Sequence, residues 1–302
     1  FQYLHRNNIE WVTIVPWGFQ KKYNSPKLTH HNGDSIMIRE SDAGWLSRLE
    51  LVREAGFKIF VKPHVWISDH SDGTWRSDIF PKNDDDWEIW KKGYRDFIYR
   101  YAVFAEKAQA EMFCIGTEFS RLAVEKPAFW KSLIQEVRQI YSGKLTYAAN
   151  WYKEYGDITF WEDLDYIGVQ SYFPLTNKEY PSVEEISKGW NQYLPTLKSV
   201  SKKYNRKIIF TELGYKSTSD SAIKPWEWID DSEVRKQKTL SVETQANCYQ
   251  AFFNTIWSEN WFAGVHIWQL KSAYGKRNPG KPNMDFTPQG KLAEGVIAEG
   301  FE

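Results

Sequence analysis

This 302-residue chain has few cysteines and histidines, and its formal net charge is zero. The two cysteines, Cys114 and Cys248, fall in apolar segments where a free thiol packs as a small hydrophobic side chain, so we expect no disulfide framework. The six histidines form neither an HxH nor an HExxH pair, which disfavours a catalytic metal, and we predict no metal site and no cofactor. The 39 basic side chains balance the 39 acidic ones, so electrostatics favours neither nucleic acid nor an anionic membrane as a partner. No apolar run approaches the roughly 18 residues that span a bilayer.

Aromatic side chains, by contrast, are abundant, with 16 Trp and 17 Tyr. Most such rings fill cores, but they also stack on the flat apolar faces of sugars while keeping a polar edge. Trp66, Trp75 and Trp151 each fall in a segment that follows a predicted strand. We therefore expect these three rings to line a cleft.

Two apolar stretches end in the same way, each with a Thr-Glu pair. The first, MFCIGTEF, ends in Glu118, and the second, KIIFTELGY, contains Glu212. Continuous apolar runs are typical of strands that are covered on both faces. A single such Glu could be a surface residue or a cap, and the alternative for the two is a buried structural ion pair. On strands of one barrel, however, both would project from its C-terminal rim. A facing pair of carboxylates is the equipment for cleaving a glycosidic bond.

The alternation of apolar strands with amphipathic helices predicts an α/β fold with a parallel sheet. Seven strands are readable, near residues 11, 58, 112, 145, 165, 208 and 263, and the loops after them are long while those before them are short. This asymmetry favours a (β/α)8 TIM barrel with its site on the C-terminal face. Because a closed barrel needs eight strands, we expect the first strand to precede residue 1. No linker or repeat interrupts residues 1–302, which we interpret as a single catalytic domain.

Local signals refine this outline. Residues 19–40 and 66–83 are predicted to be long loops, and a basic, Pro/Gly-rich loop is predicted over 275–288. Ser41 or Asp42 is expected to cap one helix, and the acidic run after Asn83 to cap another rather than to bind a metal. A helix over 183–204 is expected to be interrupted at Pro195.

Six segments, in order, resemble glycoside hydrolase family 113: KPHVW (62–66), FCIGTEFSRL (113–122), YAANW (147–151), YIGVQSYFPL (166–175), FTELGY (210–215) and GVHIWQ (264–269). The resemblance runs over nearly the whole chain and implies a retaining, β-mannan-degrading (β/α)8 enzyme. In the clan to which that family belongs, the acid/base Glu ends the fourth strand and the nucleophile Glu ends the seventh. With one strand counted before residue 1, these roles fall on Glu118 and Glu212.

The resemblance also suggests roles around the carboxyl pair. Tyr172 ends the strand next to that of Glu212, where its phenol would hydrogen-bond and favour an ionised nucleophile; the alternative is core packing. Trp268 ends the last strand, where related barrels place an aromatic floor under the reacting sugar. The clan's usual Asn before the acid/base is Thr117 here, so the contact to the sugar 2-hydroxyl is left to Asn150 or His64.

The remaining polar candidates are less specific. Gln170 and Gln269 are plausible partners for sugar hydroxyls, while His266, in the middle of a strand, is expected to lie in the core. A retaining mechanism requires carboxyl groups about 5–5.5 Å apart, and we predict that spacing for Glu118 and Glu212.

The carboxylate pair predicts a glycoside hydrolase, and the resemblance implies a retaining β-glycoside hydrolase that acts on β-1,4-mannan or manno-oligosaccharides; we expect it to be a monomer. Within the same class, exo action or a different β-glycan substrate stays open. A non-catalytic sugar-binding barrel is disfavoured because a binder has no need of the carboxylate pair. A metal-dependent barrel hydrolase is disfavoured by the histidine pattern.

Overall fold

The computed structural model describes residues 1–30, 42–152, 154–229, 236–271 and 283–302. Those ranges contain ten strands: β1 (Trp11–Ile14), β2 (Trp17–Gln20), β3 (Leu28–His30), β4 (Lys58–Val61), β5 (His64–Ile67), β6 (Met112–Thr117), β7 (Lys144–Asn150), β8 (Ile167–Gln170), β9 (Ile208–Leu213) and β10 (Phe262–Ile267). They also contain ten α-helices: α1 (Gln2–Arg6), α2 (Asp42–Glu54), α3 (Asp84–Lys107), α4 (Ser120–Glu125), α5 (Pro127–Arg138), α6 (Glu154–Asp157), α7 (Val183–Asn191), α8 (Leu194–Tyr204), α9 (Val242–Phe252) and α10 (Leu292–Gly300).

Seven of the described strands form one sheet, in the order β1-β4-β6-β7-β8-β9-β10. The pairs β1–β4, β4–β6, β6–β7 and β9–β10 are all parallel. These are the seven strands that the sequence predicts, and helices separate most of them along the chain. The predicted α/β architecture is therefore confirmed.

Two prolines divide strands that the sequence suggested were continuous. The predicted strands over 10–17 and 58–65 each break in two, at Pro16 and Pro63, because proline has no N–H to donate to a ladder. After the break, β2 and β5 pair with each other in parallel, with Trp17 opposite His64. Strand β3 adds an antiparallel edge to this second, three-stranded sheet. Residues 19–40, predicted as loop, thus contain the end of β2 and all of β3.

One compact unit comprises Glu10–Val169 and Tyr204–Arg206 together with Phe1. In this unit α3 places buried side chains at helical spacing, among them Trp90 and Tyr94, whose rings stack with centroids 4.7 Å apart. The aromatic packing continues from Tyr94 to Trp130, and from Trp130 to Tyr147 beneath the end of β6. The helix starts as predicted, since Asn83 caps it by accepting a hydrogen bond from the Asp86 N–H at 2.9 Å.

The second compact unit comprises Gln2–Ile9, Gln170–Lys203 and Lys207–Glu302. Strands β9 and β10 form its parallel pair, and Phe210 of β9 packs on Phe262 of β10 at 4.9 Å between ring centroids. The helix predicted over 183–204 is interrupted as expected: α7 ends at Asn191, α8 begins at Leu194, and Pro195 lies in the first turn of α8, where its missing N–H costs nothing. The interpretation of residues 1–302 as one domain stays a prediction.

Both cysteines are free and buried, as predicted. Among the described helices, none combines the length and apolar character needed to cross a membrane. The predicted cap residue Ser41 and positions 275–282 of the predicted basic loop lie outside the described residues.

We expect Gly116→Ala to destabilise the fold by about 1–3 kcal/mol, because overpacking forces buried rings to shift. A Cβ at Gly116 would lie 2.7 Å from the Trp130 ring and 2.9 Å from the Tyr147 ring. Both rings are held by hydrogen bonds, from Trp130 to Leu122 and between Tyr147 and Phe119. The measurement is the free energy of unfolding in urea.

The matched control is Gly295→Ala in α10, where a Cβ would meet no atom within 4 Å. That change should be neutral or stabilising by up to about 1 kcal/mol, because alanine favours a helix interior. A Gly116→Ala protein as stable as wild type would contradict the packing described here.

Candidate active site

Glu118 lies one residue beyond β6, on a strained turn. Its backbone φ is +56°, a left-handed conformation that costs a non-glycine residue about 1–3 kcal/mol and persists only where neighbours hold it. The Glu118 N–H donates to the Ala148 carbonyl of β7 at 2.8 Å, and the residue is only 8% exposed. The strain therefore coincides with a carboxyl group that the sequence singled out.

Arg76 is the charge partner of this carboxylate, and His64 holds Arg76 in place. Arg76 Nε lies 3.3 Å from Glu118 Oε2, and another guanidinium N–H donates to His64 Nδ1 at 2.8 Å. Because guanidinium is only a donor, His64 Nδ1 must be unprotonated and the imidazole neutral. Burial, with the positive charges of Lys62 and Arg76, accordingly holds the pKa of His64 well below its usual value. His64 thus orients Arg76 toward Glu118.

An aromatic cluster surrounds this ion pair in the same unit. The Arg76 guanidinium lies over the Trp75 ring, 4.7 Å from its centroid. Trp66 packs edge-on against Trp75 at 5.6 Å and is 37% exposed, so part of its ring faces solvent. Two of the rings predicted to line a cleft are therefore brought together, beside Arg76.

A second buried carboxyl group, Glu154 of α6, lies beneath the Glu118 turn. Its Oε2 accepts hydrogen bonds from the Asn150 N–H at 2.6 Å and the Ser120 hydroxyl at 2.8 Å, and its Oε1 accepts from the Tyr147 hydroxyl. Burial is the main cause that raises the pKa of Glu154 to about 7, and the nearby charge of Glu118 adds to it.

Asn150 and Trp151 follow directly at the end of β7. The Asn150 side-chain oxygen accepts a hydrogen bond from the Tyr152 N–H at 3.0 Å, which stabilises a tight turn. Trp151 is half-buried and its ring meets that of Tyr152 edge-on at 5.5 Å. The contact of Asn150 with a sugar hydroxyl stays a prediction.

Glu212 belongs to the other compact unit, at the end of β9, where it is 5% exposed. The Tyr172 hydroxyl donates a 2.6 Å hydrogen bond to Glu212 Oε2, as the sequence led us to expect, and a bond of this length is typical of a donor facing a carboxylate. The Glu212 carbonyl accepts from the Ser171 N–H at 2.7 Å, so the segment after β8 holds both the backbone and the side chain of Glu212.

The other predicted residues of this unit divide into two groups. Gln170 is buried and accepts a hydrogen bond from the Thr211 hydroxyl at 2.9 Å, and His266 is buried, as predicted. Trp268 is half-buried and meets Trp228 edge-on at 6.4 Å, and Gln269 follows it.

Sequence reasoning did not assign roles to Arg76 or Glu154. Arg76 stands in a polar segment between β5 and α3 that gives no periodic signal, and only its position directly after Trp75 marks it. Glu154 lies four residues after Asn150, within reach of a strand end, but nothing in the sequence indicates that it is buried.

We expect Glu154→Gln to abolish the loss of folding stability that Glu154 causes as pH rises. The pKa of this carboxyl group rises from its ordinary value of 4.5 to about 7 in the fold, so between those values the folded state binds more protons than the unfolded state. Its contribution to the free energy of unfolding therefore falls as pH rises through this window, by up to about 3 kcal/mol. Urea unfolding from pH 4.5 to 7.5 should show the variant gaining on wild type as pH rises.

Glu50→Gln, which makes the same substitution at an exposed position of α2, is the control. A gain for Glu154→Gln that does not grow with pH beyond that of Glu50→Gln would contradict the raised pKa.

Known proteins resemble this chain along its whole length. A family model described as Glycoside Hydrolase Family 113 matches residues 1–291. A solved GH113 β-1,4-mannanase is 26% identical, with a TM-score of 0.82 over 99% of this chain and 90% of that one. The GH113 β-mannanase AaManA from Alicyclobacillus acidocaldarius, in complex with ManMIm, is also 26% identical, with a TM-score of 0.81 over 99% and 89% of the two chains. No curated protein matches the sequence.

A β-glucuronidase from Ruminococcus gnavus is 15% identical, with a TM-score of 0.61 over 100% of this chain and 45% of that one, a likeness of fold alone. The family match, in contrast, includes both strands that end in Thr-Glu. The chain therefore belongs to glycoside hydrolase family 113 and is a β-mannanase-like glycoside hydrolase with the TIM-barrel fold of that family.

Proposed function

We propose that this enzyme cleaves β-1,4-mannan or manno-oligosaccharides with retention of anomeric configuration. Glu212 attacks the anomeric carbon and forms a glycosyl-enzyme, while Glu118 gives its proton to the leaving oxygen. Glu118 then takes a proton from water, which attacks the same carbon and releases the sugar with its original configuration. Family membership and the mannanases among its structural relatives support mannan as the substrate.

The hydrogen bond from Tyr172 to Glu212 is the observation on which the assignment of roles depends. The nucleophilic carboxylate must be ionised, and it must be oriented so that one oxygen faces the anomeric carbon. A phenol that donates at 2.6 Å both orients the carboxylate and stabilises its charge. Once Glu212 becomes the ester, the same phenol can hydrogen-bond to its carbonyl oxygen, to which negative charge returns as the Glu212 carboxylate leaves the anomeric carbon in the second step.

The surroundings of Glu118 suit its role as the base of the second step. As a base in the second step it is ionised, and the Arg76 guanidinium at 3.3 Å stabilises that form. Because His64 accepts a hydrogen bond from the same guanidinium, Arg76 keeps its orientation while Glu118 gains and loses its proton.

Aromatic and amide side chains would bind the sugar. Trp268 serves as the floor of the reacting subsite, with Trp66, Trp75 and Trp151 along the cleft and His64, Asn150 and Gln170 as candidate partners of hydroxyl groups. The products formed from mannohexaose and from mannobiose distinguish endo from exo cleavage.

Alanine replacements should separate the two glutamates. Glu212→Ala loses the nucleophile, so it should be inactive on both mannan and an aryl β-mannoside with an activated leaving group. Glu118→Ala should lose mannan cleavage but still form the glycosyl-enzyme from the aryl substrate, because an activated phenol departs without protonation. Azide should then restore turnover of Glu118→Ala and give the β-configured glycosyl azide, since it attacks an α-linked intermediate.

The opposite pattern would exchange the roles. It consists of a Glu118→Ala enzyme that is inactive on the activated substrate, together with a Glu212→Ala enzyme that azide rescues to the α-azide. Carboxyl groups of Glu118 and Glu212 more than about 9 Å apart in an experimental structure would exclude the retaining mechanism itself.

We expect Tyr172→Phe to lower kcat/KM by about 10–100-fold on both the mannan and the aryl substrate. A hydrogen bond to a charged group is worth about 1.5–3 kcal/mol, and this one acts in the nucleophilic step that both substrates share. Steady-state kinetics with the two substrates is the measurement. A loss confined to mannan would place Tyr172 with the acid rather than with the nucleophile.

A further inference from the structure

The reaction proposed above makes no use of Glu154, yet this carboxyl group is 2% exposed and accepts three hydrogen bonds. Burying a carboxyl group is costly, and an apolar side chain of similar volume usually fills such a position at lower free energy. The donors that converge on Glu154 are therefore informative, because they show which part of the backbone it holds.

The three donors lie on the segment that follows Glu118 and on β7, whose Ala148 carbonyl accepts the Glu118 N–H. The Ser120 hydroxyl, two residues after Glu118, and the Asn150 N–H, at the end of β7, both donate to Oε2. The Tyr147 hydroxyl donates to Oε1 and accepts a hydrogen bond from the Phe119 N–H at 2.8 Å. Glu154 is thus tied to Phe119 and Ser120, the residues that follow Glu118 directly.

The turn that these contacts hold is the strained one. With φ at +56°, Glu118 would relax toward an ordinary conformation unless its neighbours prevented it, and relaxation would swing its side chain away from its present position. A carboxylate suits the task because its two oxygens accept hydrogen bonds from several donors at once. Backbone strain at a reacting group, kept by surrounding contacts, is a recognised form of preorganisation.

We propose that Glu154 is a positioning residue that acts through Tyr147 and Ser120 to hold the left-handed turn at Glu118, and so keeps the acid/base carboxyl group aimed at the leaving oxygen. This inference rests on the proposed role of Glu118. Glu154 itself touches neither substrate nor the reacting atoms in this scheme. Its effect therefore falls on the two proton transfers of Glu118, and kcat/KM, which covers the steps up to the glycosyl-enzyme, reports the transfer to the leaving group.

The test compares substrates that need the acid with one that does not. Glu154→Leu, Glu154→Gln and Tyr147→Phe are assayed on mannotriose and on 2,4-dinitrophenyl β-mannoside, whose leaving group departs unprotonated. We expect Glu154→Leu and Tyr147→Phe to lower kcat/KM on mannotriose by about 10–100-fold, the equivalent of a hydrogen bond to a charged group, and on the aryl substrate by less than about 3-fold. Glu154→Gln, which keeps one accepting oxygen, should restore part of the loss.

Tyr141→Phe is the matched control for Tyr147→Phe. Tyr141 is a buried tyrosine of the same unit whose hydroxyl also makes a hydrogen bond, to the Ala110 carbonyl at 2.6 Å just before β6. Its replacement removes the same atom and should leave the ratio of the two activities unchanged. Thermal unfolding of every variant separates a loss of folded protein from a loss of function.

Two results would overturn the inference: an equal loss on both substrates in the folded variants, or no loss on either. The proposed function has its own check in the same assay, since Glu118→Ala must show the same dependence on the leaving group. If Glu118→Ala lacks that dependence, the role of Glu118 is wrong. If Glu118→Ala shows it while the folded Glu154 and Tyr147 variants do not, only the role of Glu154 is wrong.

Discussion

The cost of removing a carboxylate from water is the constraint around which the candidate site is organised. An unpaired buried charge costs several kcal/mol, so each of the three buried acidic groups needs a partner of its own. Glu118 has a guanidinium, Glu212 has a phenol, and Glu154 has three hydrogen-bond donors. Burial nevertheless raises the pKa of Glu154, because desolvation outweighs the three hydrogen bonds that favour its ionised form.

Tyr147 links the aromatic core to the buried carboxyl groups. Tyr147 packs edge-on against Trp130 in the aromatic core, while its hydroxyl lies between the Phe119 N–H and Glu154. Gly116 leaves room for both rings immediately before the turn that carries Glu118. A change of one methyl group at that glycine would therefore be felt in the packing and at the carboxyl group together.

The sequence was informative where a local pattern determines structure. Apolar runs located the seven strands of the larger sheet, the Asn83 cap and the break near Pro195 followed from standard helix signals, and the Tyr172–Glu212 contact followed from the family resemblance. The second sheet was not predicted, because continuity of the apolar pattern across Pro16 and Pro63 concealed two breaks. Arg76 was not assigned a role because its contacts are with residues 12 and 42 positions away in the chain, and Glu154 was not because no short motif encodes its burial.

The central claim, that Glu212 is the nucleophile of a retaining mechanism, is tested most directly by trapping the intermediate. An activated 2-deoxy-2-fluoro-β-mannoside slows both steps, and its good leaving group lets the covalent adduct accumulate. Digestion and mass spectrometry then locate the sugar on the chain. The account predicts one label per molecule, on the peptide that contains Glu212. A label on Glu118, or no label on an enzyme that still hydrolyses the unfluorinated aryl mannoside, would contradict it.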